Sequence, residues 1–324
     1  MGLPAFQGAG RRTATASGAT GVLMRMWLTR GFARLWIAAI NLTATWSPQA
    51  RARVAQLVGR LLWRVVRSRR RVALANLRAC FPHWPQARIE RVARACFQAI
   101  ARGTLDHAVL WTGSRERIER MIQVEGAEHL LSAHNRPLIM VAPHFVGLDA
   151  GGLRINTLVR GVSIYARQSN AVWDAWLLKA RQRFNDPVLL PRGSDLRGAV
   201  RALKAGLPFY YLPDMDNGPQ ASMFVPFFGV PAATLPMVSR LARMTGAKVI
   251  MAVTQMTANG YTLHLSAPWE DFPGPSIEAD TLRMNQEIER WVERFPEQYL
   301  WTHRRFKTQP PGAPSIYASL IQQR

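Results

Sequence analysis

The sequence predicts an α/β fold in which helices flank a central, mostly parallel β-sheet, preceded by a helical N-terminal region. From Pro137 onward, short apolar runs of strand length alternate with stretches of helical spacing, which is typical of βαβ units. Before that point, apolar residues recur mainly at helical spacing. A chain of 324 residues that is 48% hydrophobic can bury a large core around such a sheet.

The N-terminal region is predicted to be helical and to contact a membrane. Residues 2–21 are small and polar, so we expect a disordered tail. Residues 22–46 favour an interfacial or marginally inserted helix, because only the 12 residues from Leu35 to Trp46 lack charge and a spanning helix needs about 20. Further helices are predicted at 49–70, a basic amphipathic segment, and at about 86–110.

The elements after Pro137 are predicted in alternation along the chain. The predicted strands are PLIMVAP, GVSIYA, PVLLP, PFYYLP, KVIMAV and YTLHLS. The predicted helices cover residues 149–160, 170–184, 194–205, 234–245 and 278–295. The expected organisation is a tail (1–21), a helical, basic membrane-associating region (22–130), an α/β domain (131–310) and a C-terminal tail (311–324).

The positive charge is concentrated near the N-terminus. The chain carries a formal charge of +22, and its first 102 residues hold 18 arginines, no lysine and one acid, Glu90. Such asymmetry indicates a polyanionic partner: nucleic acid, anionic lipid or an acidic carrier protein. The arginines flank apolar stripes and Trp36, Trp46 and Trp63, which favours an anionic membrane surface. No nucleic-acid-binding motif is present, so we expect no nucleic acid partner.

The two cysteines indicate neither a disulfide framework nor a metal site. Cys80 and Cys96 lie in helix-like sequence, far from any histidine pair at metal spacing. The sequence also lacks G-x-S-x-G, and neither cysteine follows a strand, so a serine or cysteine nucleophile is not favoured. We expect no metal and no cofactor.

Reactive side chains follow three of the predicted strands. His144 and Asp149 follow the first strand, Arg167 and Asn170 the second, and Asp214 and Asp216 a later one. Ligands of parallel sheets bind beyond the carboxyl ends of the strands. A histidine on a turn that folds back over the next helix can reach a carboxylate five residues on, and such a pair suits general-base catalysis on a hydroxyl. We therefore expect His144 to be the base and Asp149 its partner.

Several blocks of sequence resemble a known family. The H-x4-D pattern of PHFVGLD is the signature of the glycerolipid acyltransferases. The ordered series RRRVALANLRACFP, PHFVGLDAGG, YARQSN, LPDMDNG, FVPFFGVPAATLP, LARMTGAKVI and PEQYLWTHRRFKTQP is similar to the late acyltransferases of lipid A biosynthesis. One departure is Met215, where the family usually has glutamine.

That resemblance implies an O-acyltransferase at the cytoplasmic face of the bacterial inner membrane. The donor would be an acyl thioester on acyl carrier protein, and the acceptor a hydroxyl of a lipid A precursor. The resemblance also implies substrate-binding residues, since Arg167 could bind a sugar phosphate and FFGVPAATLP resembles a substrate-binding block in which Thr234 could cap the next helix. The implied substrate-binding set is Arg167, Asn170, Asp214, Asp216, Gly229, Thr234, Arg304 and Arg305.

Two alternatives stay open at this point. The acceptor could be another lipid, such as a lysophospholipid, glycerol phosphate or an amino-acid lipid, because sequence pattern identifies the acceptor poorly. A non-enzymatic, basic nucleic-acid-binding protein would instead show an affinity that falls steeply with salt.

Overall fold

The computed structural model describes residue 31 and residues 33–133, 135–192 and 197–318. The predicted tail at 1–21, most of the first part of the predicted helix at 22–46, and His134 lie outside these ranges. Residues 33–42 are helical. Within the described ranges, no helix combines the length and the apolar composition needed to cross a bilayer.

The described residues form a seven-stranded, mostly parallel sheet with helices on both sides, which confirms the predicted fold class. The strands are β1 (Ile122–Glu125), β2 (Leu138–Val141), β3 (Val162–Tyr165), β4 (Val188–Pro191), β5 (Phe209–Tyr211), β6 (Met223–Phe227), β7 (Val230–Thr234), β8 (Lys248–Met256) and β9 (Tyr261–Leu265). The sheet order is β1-β9-β8-β2-β5-β3-β4, and only β8 and β9 pair antiparallel. Strands β6 and β7 form a separate hairpin.

Helices cover both faces of the sheet. They are α1 (Pro48–Val65), α2 (Arg67–Cys80), α3 (Gln86–Thr112), α4 (Arg115–Met121), α5 (Ala127–Leu131), α6 (Leu148–Leu158), α7 (Ala171–Arg181), α8 (Arg197–Lys204), α9 (Met237–Thr245) and α10 (Ile277–Arg294). Alternate residues of β2 enter different cores: Ile139 and Val141 pack with α2, α9 and α10, whereas Leu138 and Met140 pack with α4, α6 and α7. Burial on both faces explains why β2 is a continuous apolar run.

The predicted helix at 49–70 is two helices that meet at Val66. Helix α1 packs against α3, and the change of direction at Val66 lets α2 bury its own apolar face, with Val72, Ala73 and Leu77 in the core. A continuous helix could not direct both apolar faces to their partners. We therefore attribute the break at Val66 to the packing of α2 and not to a change in local helix propensity.

Helix α3 links the two cores and passes beside the carboxyl end of β2. Its first half contributes Ile89 and Phe97 to one core, and its last turns contribute Leu110 to the other. A Cβ at Gly103 would lie 3.2 Å from the carbonyl oxygen of Val146, so the helix passes very close to the loop after β2. This contact places α3 at the edge of the sheet where the reactive side chains were predicted.

Candidate active site

His144 and Asp214 come together because their strands are neighbours in the sheet. Val141 of β2 pairs with Tyr211 of β5, and each of the two reactive residues lies three positions beyond its member of that pair. The amide of Ala142 also donates to the carbonyl of Tyr211 at 2.8 Å, which extends the pairing towards the site. His144 and Asp214 therefore lie side by side just beyond the carboxyl ends of their strands.

The carboxylate of Asp214 binds His144 through both of its oxygens. His144 Nδ1 lies 2.6 Å from Asp214 Oδ1, and the His144 backbone amide donates to Oδ2 at 2.8 Å. Burial opposes ionisation of Asp214, but the charge and hydrogen bonds of His144 outweigh it and lower the pKa of the carboxyl to about 2. An ionised carboxylate only accepts hydrogen bonds, so Nδ1 carries a proton, and in the neutral imidazole Nε2 has the free lone pair.

The loop that carries His144 is held in place from the other side. The amide of Leu300 donates to the His144 carbonyl at 2.9 Å, and Phe145 forms a bridge with Tyr299. His144 itself is partly accessible, with 17% of its side chain exposed, whereas the Asp214 side chain is fully buried. The imidazole is therefore fixed by a buried carboxylate and still open on one side.

The predicted pairing of His144 with Asp149 is wrong in this structure. Asp149 Oδ2 lies 3.1 Å from Nε2 of His107, Arg181 donates to Oδ1 at 3.0 Å, and no hydrogen bond to His144 is found in the described chain. The backbone contacts of His144 with the loop at 299–300 fix its ring towards β5, so it does not fold back over α6. Asp214, and not Asp149, is the carboxylate that binds His144.

Asp149 forms its own cluster with two residues that no sequence pattern singled out. Burial acts to raise the pKa of the Asp149 carboxyl, but the Arg181 cation and the His107 hydrogen bond hold that pKa well below its usual range. His107 comes from α3 and Arg181 from the end of α7. Neither residue has a local pattern that marks it, since the cluster forms only when three separate helices meet.

An apolar cavity begins beside Asp149. It runs between α6, α7 and the sheet, with Leu153, Val162, Leu189 and Tyr210 among its lining residues. The space inside it that is open to a water-sized group is about 80 Å³, below the ~300–1,000 Å³ range of small-molecule sites, so the cavity is narrow. An apolar group that enters this cavity would lie along the sheet with its polar end near Asp149.

The other residues predicted after the second strand have different environments. The Arg167 side chain is 89% exposed, with Nε 3.9 Å from a carboxylate oxygen of Asp174. Asn170 accepts hydrogen bonds from the amides of Val172 and Trp173 and so caps α7. The Arg167 guanidinium is available to a ligand, whereas the Asn170 oxygen already has a structural role.

Asp216 binds the C-terminal part of the chain. Its carboxylate accepts hydrogen bonds from the amide and hydroxyl of Thr308 and from the amide of Gly218. The Asp216 amide contacts Nε2 of His303 at 3.4 Å. Burial and the neighbouring His144 lower the pKa of His303 to about 4, so this imidazole is neutral at pH 7. His303 is therefore a second histidine close to His144, and no sequence pattern singled it out.

The hairpin of β6 and β7 holds the remaining predicted residues. Gly229 forms its turn with a φ of 74°, a conformation that glycine adopts without strain. Thr234 does not cap the next helix as predicted, because α9 begins at Met237 and has no side-chain cap. Its hydroxyl instead accepts a hydrogen bond from Arg305 at 2.8 Å.

Arg305 is directed into the core. It is 2% exposed and also donates to the carbonyl of Ala233, so this structure does not present it to a substrate as the resemblance implied. The guanidinium of Arg304 lies 5.7 Å from the ring centre of Tyr317 and is partly exposed. Tyr317, in the predicted C-terminal tail, is buried and donates to Asn76 of α2.

Across the described chain, no group of three or more His, Cys, Asp or Glu side chains could hold a metal ion.

Comparisons with known proteins identify the family. Residues 23–308 match the family described as bacterial lipid A biosynthesis acyltransferase. The chain is 33% identical to the lipid A biosynthesis lauroyltransferase of Escherichia coli, over 80% of this chain and 86% of that protein. It is 29% identical to the lipid A biosynthesis myristoyltransferase of the same organism, over 86% and 87%. The acyltransferase PlsC of Thermotoga maritima matches at a TM-score of 0.37 and 16% identity, over 76% of this chain and 97% of that one, which is too distant to support an inference. The family match covers most of the chain, and the protein therefore belongs to the bacterial lipid A biosynthesis acyltransferases.

Proposed function

We propose that the protein transfers a fatty acyl chain from acyl carrier protein to a hydroxyl of a lipid A precursor, the secondary acylation of lipopolysaccharide biosynthesis. The family supports this reaction class. The observation that carries the mechanism is the hydrogen bond between His144 and the buried carboxylate of Asp214. The reaction would take place at the cytoplasmic face of the inner membrane, where acyl carrier protein and the lipid acceptor meet.

In the proposed mechanism His144 is the general base. Its Nε2 takes the proton from the acceptor hydroxyl while the hydroxyl oxygen attacks the thioester carbonyl. The tetrahedral intermediate then collapses, the carbon–sulfur bond breaks, and the departing sulfur takes the proton from the imidazolium. Every proton is returned, so this route needs no metal and no covalent enzyme intermediate.

Asp214 would stabilise the charge that this step creates. The imidazolium forms beside an anion that is already ionised, buried and bound to Nδ1. An ion pair in such surroundings is stronger than one in water. The carboxylate also fixes the ring orientation and the tautomer, so no rearrangement is needed before proton transfer.

We propose that Asp149 is a positioning residue. It binds His107 and Arg181, and Arg181 lines the apolar cavity, which we propose as the site of the acyl chain. The thioester would then lie between the cavity and the open side of His144. Arg167 and Arg304 are the remaining exposed or partly exposed cations predicted to bind the phosphates of the acceptor.

The direct test is a transfer assay with purified protein and acyl carrier protein loaded with a labelled acyl chain. The acceptors to compare are a lipid A precursor, a lysophospholipid, glycerol phosphate and an amino-acid lipid, with mass spectrometry of each product. We expect acylation of the lipid A precursor and its loss in His144→Ala. Preference for another acceptor, or full activity of a folded His144→Ala protein, would overturn the proposal.

A further inference from the structure

Helix α1 has an apolar face that the rest of the described chain leaves uncovered. Leu57, Leu61 and Val65 are spaced four residues apart and are 63%, 58% and 67% exposed. The opposite face packs so closely on α3 that a Cβ at Gly59 would lie 2.6 Å from the Cα of Gln98. A row of three large apolar side chains on one exposed helix face is typical of a surface that binds another apolar body.

A cleft lined by arginines adjoins this stripe. Its lining includes Trp63 and four arginines: Arg60 and Arg64 of α1, Arg70 of α2 and Arg94 of α3. The guanidinium carbons of Arg70 and Arg94 lie 5.5 and 5.4 Å from the centre of that ring. We call this feature the arginine cleft.

The arginine cleft carries more positive charge than its surroundings neutralise. Arg94 is paired with Glu90 at 2.9 Å, and Glu90 is the only acid in the first 102 residues. Arg60 and Arg64 are exposed and form no ion pair or hydrogen bond with any residue that the structure describes. Guanidinium groups in this number suit a phosphate, which can accept several charge-assisted hydrogen bonds at once.

The arginine cleft lies beside the apolar stripe, between the stripe and the face of α1 that packs on α3. Arg60 follows Leu57 by three residues and Arg64 follows Leu61 by three, so each arginine neighbours a stripe residue on the helix surface. A ligand that fits both features must have an anionic phosphate beside an apolar body. An anionic phospholipid in a bilayer has this combination.

We propose that the arginine cleft binds the headgroup phosphate of an anionic phospholipid while Leu57, Leu61 and Val65 enter the bilayer surface. The inference rests on the proposed function, in which the acceptor is a membrane lipid. It adds which side of the protein faces the membrane. Helix α3 approaches the loop after β2 at Gly103 and contacts Asp149 through His107, and α1 packs on α3. A bilayer on this side would meet the helical layer that borders His144.

The test measures binding of the full-length protein to vesicles by sedimentation. Phosphatidylcholine vesicles that contain phosphatidic acid are compared with vesicles of equal surface charge that contain oleate. We expect the wild type to prefer the phosphatidic acid vesicles by about tenfold, the size of one good charge-assisted hydrogen bond. The variant Arg60→Gln/Arg64→Gln should lose this preference, and neither side chain has a contact whose loss would unfold the protein.

The matched control is Arg53→Gln/Arg67→Gln, which removes the same charge from exposed positions outside the cleft. It should bind both vesicles more weakly and keep the preference for phosphatidic acid. If the two variants bind both kinds of vesicle equally, the arginine cleft contributes only non-specific positive charge, and the proposal is overturned. The proposal is also overturned if Arg60→Gln/Arg64→Gln loses binding to acyl carrier protein and keeps its preference for phosphatidic acid.

Failure of this proposal is distinguishable from failure of the proposed acyl transfer. Vesicle binding is read without any reaction, and His144→Ala, which lacks the proposed base, should bind vesicles like the wild type. If the protein binds vesicles normally but transfers no acyl chain, only the proposed acyl transfer fails. If it transfers the acyl chain to a detergent-dispersed acceptor but shows no preference for phosphatidic acid vesicles, only the proposal for the arginine cleft fails.

Discussion

Asp214 holds His144 by two hydrogen bonds, one from the ring Nδ1 at 2.6 Å and one from the backbone amide at 2.8 Å. The ring contact selects the tautomer with a free Nε2, and the amide contact fixes the loop that carries the ring. Both contacts end on a carboxylate that the rest of the chain buries. The proposed base is therefore oriented by a residue 70 positions away in the sequence.

Asp214→Asn tests this relationship. The amide side chain keeps the shape of the carboxylate but cannot stabilise an imidazolium, so kcat should fall by about 10²–10⁴-fold with a much smaller change in KM. Steady-state transfer assays on the folded variant provide the measurement. Asp149→Asn is the comparison, and we expect it to lose less kcat. If Asp149→Asn is the more damaged variant and Asp214→Asn is nearly normal, the assignment of the partner is wrong.

The pairing of His144 with Asp214 could not be read from the sequence, although both residues were predicted to belong to the site. Each follows an apolar run that predicts a strand, but β3 and β4 lie between these strands along the chain. Only the sheet order, in which β5 inserts between β2 and β3, makes them neighbours. Proximity along the chain favoured Asp149 instead, and the tertiary contacts of the loop at 299–300 decided against it.

The elements that were missed have weak local signals for a physical reason. Strand β1 (IQVE) lies at the sheet edge, where only Ile122 is buried, so it has no apolar run. The hairpin strands each contain a proline, Pro226 and Pro231, which local rules count against a strand. The six strands predicted from apolar runs all form. Burial on both faces accounts for the runs of β2, β5 and β8.

His303→Gln should make the protein less sensitive to acid between pH 7 and pH 5. Burial and His144 lower the pKa of His303 from 6.5 to about 4, so below pH 6.5 the unfolded chain binds a proton that the folded chain refuses. Stability is therefore present above pH 6.5 and is lost as the pH falls towards 4. For a partly exposed group this loss is about 1–2 kcal/mol between pH 7 and pH 5.

Urea unfolding at the two pH values provides the measurement for His303→Gln, with His129→Gln as the control at a histidine outside the site. The wild type and the control should lose stability in parallel, and His303→Gln should lose less. An identical loss in all three proteins would show that His303 titrates normally.

The buried ion pair between Arg51 and Asp106 should be a main attachment of α1 to α3. Arg51 Nε lies 2.7 Å from the carboxylate, both side chains are at most 3% exposed, and Tyr261 also donates to Asp106. Arg51→Met leaves a buried charge with fewer partners, so the free energy of unfolding should fall by about 3–5 kcal/mol in urea titrations. The exposed pair of Arg290 and Glu287 is the control, since Arg290→Met should cost less than about 1 kcal/mol. If Arg51→Met and Arg290→Met lose the same free energy of unfolding, Arg51 is not a main attachment of α1 to α3.

Gly152 of α6 should limit the length of acyl chain that the apolar cavity accepts. It lines the cavity, and a Cβ there would lie 3.3 Å from the ring of Tyr210, so Gly152→Val adds its methyl groups to the cavity space. Because one methylene in an apolar site is worth about 1–3 kcal/mol, competition between acyl carrier proteins loaded with different chains should shift about tenfold or more towards shorter chains. Ala205→Val, at an exposed position after α8, should leave the chain-length profile unchanged. A folded Gly152→Val protein with the wild-type profile would place the acyl chain somewhere other than this cavity.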